Sequence, residues 1–183
     1  MLNNCLNEHI EVAKNMQKLL PLIENAANLC IDSLKKDGRV LICGNGGSAA
    51  DAQHIAAELS GRFKKERDAL AGIALSVDSS ALTAIGNDYG FDKVFSRQVE
   101  AFGRDKDTLI AISTSGNSKN VIEAIKSAKK IGLYVITLSG KDGGKIKDLG
   151  DVNIIVPSFN TPRIQEMHTM IGHMICAIID EAF

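Results

Sequence analysis

His54 and Glu58 stand four residues apart in the run Asp51-Ala52-Gln53-His54-Ile55-Ala56-Ala57-Glu58. On a helix that spacing puts an imidazole and a carboxylate on one face, where they can move a proton or hold a metal ion. Such a pair is also common on helix surfaces, so it gains meaning only if other groups converge on it. The apolar C-terminal segment supplies candidates: Gln165, Glu166, His168 and His173. His173, within Met170-Ile171-Gly172-His173-Met174-Ile175, is by default a core histidine. Two histidines, a glutamate and a glutamine nevertheless form a plausible metal set (His54, Glu58, Gln165, His173), and imidazole with carboxylate suits zinc. One geometric check applies. Gln165 and His173 are eight residues apart, about 12 Å along a helix, close to the limit that two side chains can bridge through one ion.

Two polar loops carry ligand-binding chemistry of another kind. Gly44-Asn45-Gly46-Gly47-Ser48 follows an apolar run and leads into the His54 segment. Glycines there permit positive φ and close backbone approach, while the N–H groups of the new helix favour an anion. Ser113-Thr114-Ser115-Gly116-Asn117-Ser118 follows a second apolar run and precedes a helical pattern. Its hydroxyls together with N-terminal amides can hold a phosphate without Lys or Arg. Ser118 alone would suffice as an N-cap, so the other hydroxyls argue for an anion site. Asn87 and Asp88, in Gly86-Asn87-Asp88-Tyr89-Gly90, offer an amide and a carboxylate at what reads as a turn; simple Asx capping accounts for them equally well.

The elements that must position these groups are legible from periodicity. Residues 3–36 carry apolar side chains at helical spacing, divided by Pro21 into two helices. This arm, 1–36, has to pack against the core, 37–183, or against another copy of the chain. Strands are expected at 39–43, 71–76, 108–112, 134–139 and 152–156. Helices are expected after residue 47 and at 80–85, 91–102, 120–131 and 161–182, the last capped by Thr161 with Pro162 in first position. Strands that are nearly continuous in Val, Ile, Leu and Ala and alternate with helices indicate an α/β fold, a single domain with a five-stranded parallel sheet covered on both faces. Ligands in such folds sit beyond the carboxyl ends of the strands, where both polar loops lie.

Composition excludes several classes. A formal charge of −1, spread along 183 residues, and an aromatic content of 4% leave neither a basic stripe nor stacking platforms for nucleic acid. The N-terminus lacks the apolar core of a signal peptide, and no apolar run is long enough to span a membrane. The four cysteines form no CxxC pair and read as reduced thiols of a cytoplasmic protein. Gly44-x-Gly46-x-x-Ala49 matches a dinucleotide fingerprint, but the acid closing the second strand, Asp78, comes far too late to hold a ribose. The loop also lacks the Gly-Lys-Ser/Thr ending of a P-loop.

The blocks Gly44-Asn45-Gly46-Gly47-Ser48 with His54-x-x-x-Glu58, Thr83-Ala84-Ile85-Gly86-Asn87-Asp88-Tyr89-Gly90, Ser113 to Ser118, and Arg163-Ile164-Gln165-Glu166-x-His168 occur in an order that resembles the phosphoheptose isomerases of the sugar isomerase (SIS) fold. The similarity covers essentially the whole chain. It implies a three-layer, flavodoxin-like α/β/α sandwich with an N-terminal helical arm used in oligomerisation. It also implies an aldose–ketose isomerase acting on sedoheptulose 7-phosphate for bacterial lipopolysaccharide or capsule heptose. Carried over by position, Ser113, Thr114, Ser115 and Ser118 would hold the phosphate; Asn45, Gly46, Gly47, Ser48, Asn87, Asp88 and Gln165 would contact the substrate. Glu58 would be the base and His173 its partner acid or base. The resemblance further implies one Zn2+ on His54, Glu58, Gln165 and His173, and a homotetramer with sites at subunit interfaces. Pro162 stands where many relatives carry an acid, so no carboxylate role transfers there. Some SIS proteins of similar size are scaffolds that bind a replication initiator or are sugar-phosphate-sensing regulators; the retained acid–base set argues for the enzyme.

Overall fold

The computed structural model describes all 183 residues. Its chain order is α1 (Leu2–Asn15), a 3-10 turn, α2 (Leu20–Leu34), β1 (Val40–Cys43), α3 (Gly47–Ser60), β2 (Gly72–Ala74), α4 (Ser79–Tyr89), a 3-10 turn, α5 (Ser96–Phe102), β3 (Thr108–Ile112), α6 (Lys119–Ile131), β4 (Tyr134–Gly140), a third 3-10 turn, β5 (Val152–Val156) and α7 (Thr161–Ala182). The five strands form one parallel sheet in the order β2-β1-β3-β4-β5. No helix is long and apolar enough to cross a membrane.

Alternation along the strands divides the core in two. Val40, Ile42, Ile110, Ile112, Ile136, Leu138 and Ile154 face the layer built by α2, α3 and α7. Leu41, Cys43, Leu109, Ala111 and Val135 face the layer built by α5 and α6. A sheet buried on both faces needs apolar residues at every strand position, and β1 and β3 are buried throughout. The three-layer α/β/α sandwich follows.

This strand order has one switch point, between the neighbours β1 and β3. The chain leaving β1 enters α3 on one face of the sheet, whereas the chain leaving β3 enters α6 on the other. The two loops therefore diverge and leave a crevice at the carboxyl ends, the usual ligand position in such folds.

Four local expectations are revised. α2 buries Ile23, Ala26, Ala27, Cys30, Ile31 and Leu34 and packs on α7 and the sheet, so it is a core helix. Only α1 is an arm: it buries Val12 alone and leaves Leu2, Leu6 and Ile10 exposed. The expected turn at 86–90 is the last turn of α4, because Asp78 Oδ1 accepts Ala81 N–H at 2.9 Å to start the helix and Gly90, at φ 87°, ends it. Residues 91–102 are a 3-10 turn followed by α5, a break that seats Val94 and Phe95 in the core. The N-cap of α7 is Asn160 rather than Thr161, and its amide turns away from the helix to donate to the Glu8 carboxylate at 2.9 and 3.1 Å.

Candidate active site

α3 and α7 pack side by side and bring the distant histidine to the helical pair. Glu58 Oε1 lies 2.9 Å from His54 Nε2, and His54 Nε2 lies 3.3 Å from His173 Nε2. The two imidazoles meet edge to face, with centroids 4.9 Å apart. The donor atoms of His54, Glu58 and His173 all fall within 4.8 Å of one another, which fits a His2Glu metal centre with an open position. Within the chain Glu58 Oε1 alone is hydrogen-bonded, and Oε2 has no partner. The cluster lies at the surface of the single chain, the His54 side chain 45% and the Glu58 side chain 22% exposed.

Gln165 occupies α7 two turns before His173, where its amide covers Gly47. A Cβ on Gly47 would stand 2.4 Å from Gln165 Nε2, so this position admits no side chain while Gln165 keeps its place. Gly46 turns the chain into α3 at φ 56°, a conformation suited to glycine. Ser48 is buried in the first turn of α3, its Cβ against Gly44.

In the second loop, Ser118 occupies the N-cap position of α6, yet its hydroxyl makes no cap bond. It pairs instead with Ser113 Oγ at 3.0 Å. The N–H groups of Lys119 and Asn120 are thereby left for an anion, that of Val121 being taken by Asn120 Oδ1 at 3.0 Å. Thr114 and Ser115 are half-buried beside them, and Ser115 Oγ accepts Asn117 N–H at 3.2 Å. Asn120, to which the sequence reading gave no role, exchanges two amide hydrogen bonds with Asn45, at 2.8 and 2.9 Å. This bridge joins the two loops across the crevice. Asn87 and Asp88 do not join the cluster within one chain: both are exposed on the last turn of α4, Asn87 Nδ2 donating to Asp88 Oδ1 at 2.8 Å.

Two more residues escaped the sequence reading. Asp51 lies one turn before His54 and is buried. Burial raises its carboxyl above the usual range, against a 2.7 Å hydrogen bond from Thr169 and the nearby His54 and His173. The spacing Asp51, His54, Glu58 was its available signal. Arg163 donates to Cys5 O at 2.7 Å and pairs with Glu166, which in turn meets His9 Nδ1 at 2.7 Å, so the arm is tied to the start of α7. His168 is fully buried and turned to Ser139 O, away from solvent and from any catalytic use.

The SIS domain family model matches residues 6–140. The chain is 58% identical over 187 residues to the phosphoheptose isomerase of a Nitratiruptor species, covering 100% of both. It is 61% identical over 176 residues to that of Campylobacter jejuni subsp. jejuni serotype O:6, covering 96% and 95%. The solved structure of phosphoheptose isomerase GmhA from Neisseria gonorrhoeae superposes with a TM-score of 0.92 at 50% identity over 98% of this chain and 97% of that one. With its fold, its loops and its His–Glu–His cluster in this arrangement, the chain belongs to the phosphoheptose isomerases of the SIS domain family.

Proposed function

We propose that the chain interconverts sedoheptulose 7-phosphate and D-glycero-D-manno-heptose 7-phosphate, an aldose–ketose isomerisation that supplies heptose for bacterial lipopolysaccharide or capsule. The observation that carries this reading is the convergence of His54, Glu58 and His173 within 4.8 Å. Proton transfer between adjacent carbons through an ene-diol needs a carboxylate or imidazole within reach of both carbons and a group that stabilises charge on the oxygens. Glu58 removes the C1 proton of the ketose and returns it to C2, while His173 moves the proton between the two oxygens. The phosphate is held by Ser113, Thr114, Ser115 and Ser118 with the uncapped start of α6. Asn45, Gly46, Gly47, Ser48, Gln165, Asn87 and Asp88 orient the sugar.

His54, Glu58, Gln165 and His173 are the residues that hold zinc in this reading, and a bound Zn2+ supplies a Lewis acid that polarises the carbonyl. The open face of the cluster supports a site completed between subunits of a homotetramer. So does α4, which buries no residue within the chain and is flanked by exposed Val77, Tyr89 and Phe91. Asn87 and Asp88 on that helix then serve a neighbouring copy. A cytoplasmic location agrees with four unpaired cysteines.

The test is incubation with sedoheptulose 7-phosphate in deuterated water, followed by NMR at C1 and C2, beside Glu58→Gln. Aldoheptose phosphate or solvent deuterium at carbon with the wild type alone supports the reading. Absence of both in the wild type, with zinc added, overturns it.

A further inference from the structure

The segment between α3 and β2 carries a buried ion pair that the reaction itself does not use. The Arg67 side chain is 1% exposed and its Nε lies 2.9 Å from Asp180 Oδ1. The same guanidinium donates to Glu58 O at 2.8 Å, Leu59 O at 3.0 Å and Asp68 O at 2.9 Å. Glu58 and Leu59 belong to the last turn of α3, whose carbonyls have no partner within the helix. Asp180 Oδ2 accepts Lys64 N–H at 2.7 Å and Lys65 N–H at 2.9 Å. Between these anchors sits Phe63, whose ring stacks on His173 with centroids 5.4 Å and planes 29° apart. His173 and Asp180 are seven residues apart on α7, two turns along one face. One short segment is thus clipped to that face at two points, and one of them is the ring of the candidate acid–base histidine.

A surface pair of this kind contributes little, but this one is desolvated, with every guanidinium nitrogen and both carboxylate oxygens hydrogen-bonded, and breaking one side leaves an uncompensated buried charge. Its three carbonyl contacts require the planar fork of arginine. We propose that Arg67 and Asp180 are positioning residues that act through Phe63 on the His173 ring and through the end of α3 on Glu58. The geometry fixes both members of the acid–base pair from one clip. Lysine at 67 would keep the charge on Asp180 and lose the fork on the Glu58 and Leu59 carbonyls.

This inference rests on the isomerase reading, and its test separates the two. kcat and KM are measured on the full chain for Phe63→Leu, Phe63→Tyr and Arg67→Lys, with thermal melts to confirm folding at the assay temperature. Outer residues that orient a site contribute roughly 10–100-fold to activity or metal affinity. Phe63→Leu and Arg67→Lys are expected to lower kcat by about tenfold or more with KM within about twofold, and Phe63→Tyr to restore kcat to within about threefold of the wild type. A purely structural clip would lower the melting temperature and leave kcat unchanged below it; that result, or Phe63→Tyr failing as badly as Phe63→Leu, overturns the proposal. Should the wild type not turn over the heptulose phosphate, the isomerase reading fails. Zinc competition against a chromophoric chelator then decides the clip: about tenfold weaker binding in Phe63→Leu and Arg67→Lys supports it, and unchanged binding in either overturns it.

Discussion

Asn45 and Asn120, 75 residues apart, exchange both of their side-chain amide hydrogen bonds across the crevice between β1 and β3. Each amide uses one donor and one acceptor on the other, and Asn120 Oδ1 also accepts Val121 N–H at 3.0 Å. The pair ties the glycine loop to the start of α6, where the phosphate is proposed to sit. Asn120→Ala leaves the half-buried Asn45 amide without its partner, at a cost of about 1 kcal/mol. Urea unfolding should register that loss. Steady-state kinetics should show kcat/KM reduced by roughly tenfold, equal to about 1.4 kcal/mol of transition-state stabilisation; wild-type kinetics would leave the bridge a stability feature alone.

Glu58→Gln keeps the shape of the cluster and removes its proton acceptor. Loss of a positioned general base lowers kcat by about 10²–10⁴-fold. Deuterium incorporation at C1 and C2 should disappear together with product. His173→Asn should lower kcat within the same range, and treatment with a strong chelator should do so if zinc takes part. Full activity after complete metal removal would take the ion out of the mechanism.

Gly47→Ala inserts a methyl 2.4 Å from Gln165 Nε2. The obstructing atom is the far end of a flexible side chain, so the fold should tolerate the change while Gln165 moves aside. The melting temperature is expected to shift by only a few degrees, roughly the effect of 1 kcal/mol in a domain of this size. Activity should fall as far as in Gln165→Ala, and the double variant should be no worse than either single one, because both remove the same contact.

Stability should depend on pH through His168. Burial pushes this imidazole down to about 4 from an ordinary 6.5, against a 3.1 Å contact with Ser139 O. Between those values the unfolded chain binds a proton that the folded chain does not, so unfolding becomes easier as pH falls through that window. The loss reaches about 3 kcal/mol. Asp180 acts lower on the scale. Burial would raise its carboxyl, but the Lys65 and Lys64 N–H groups with Arg67 outweigh that and hold it below the usual range, so its contribution is lost only under stronger acid. Urea midpoints from pH 7 to 4 should slope for the wild type and flatten for His168→Gln; equal slopes would rule His168 out as the source.

Cys43 and Cys176 are pushed up to about 12 by burial, and Cys30 is pushed up as well. Only Cys5 is exposed. A chromogenic disulfide reagent should therefore react with one thiol in the native protein and with all four in urea. More than one fast thiol would show that the sheet, α2 or α7 opens.

Much of the fold and part of the site were legible beforehand, because some information is local. Unbroken apolar runs such as 108–112 report a strand buried on both faces, and the four-residue step from His54 to Glu58 reports a shared helical face. Boundaries were less legible where a single residue decides them. Gly86 suggests a turn, yet Asp78 and Gly90 cap a helix that runs straight through it. Asn160 was unreadable as the start of α7 because its amide is committed to Glu8, 152 residues away.

Residue order along the chain is enough to specify the alternation of strands and helices, the two polar loops at strand ends, and the residue types available for proton transfer and anion binding. Short-range periodicity and backbone preference are enough for that. The sequence nominated His173 as a partner, but only the packing of α7 on α3 puts it 3.3 Å from His54, 119 residues away; that Asn120 answers Asn45, and that Arg67 and Asp180 hold Phe63 against the histidine ring, has no signal along the chain. Those contacts exist because β1 and β3 are neighbours in the sheet and α3 packs on α7. Such pairings arise when amphipathic faces bury one another, and no spacing along a single chain encodes them.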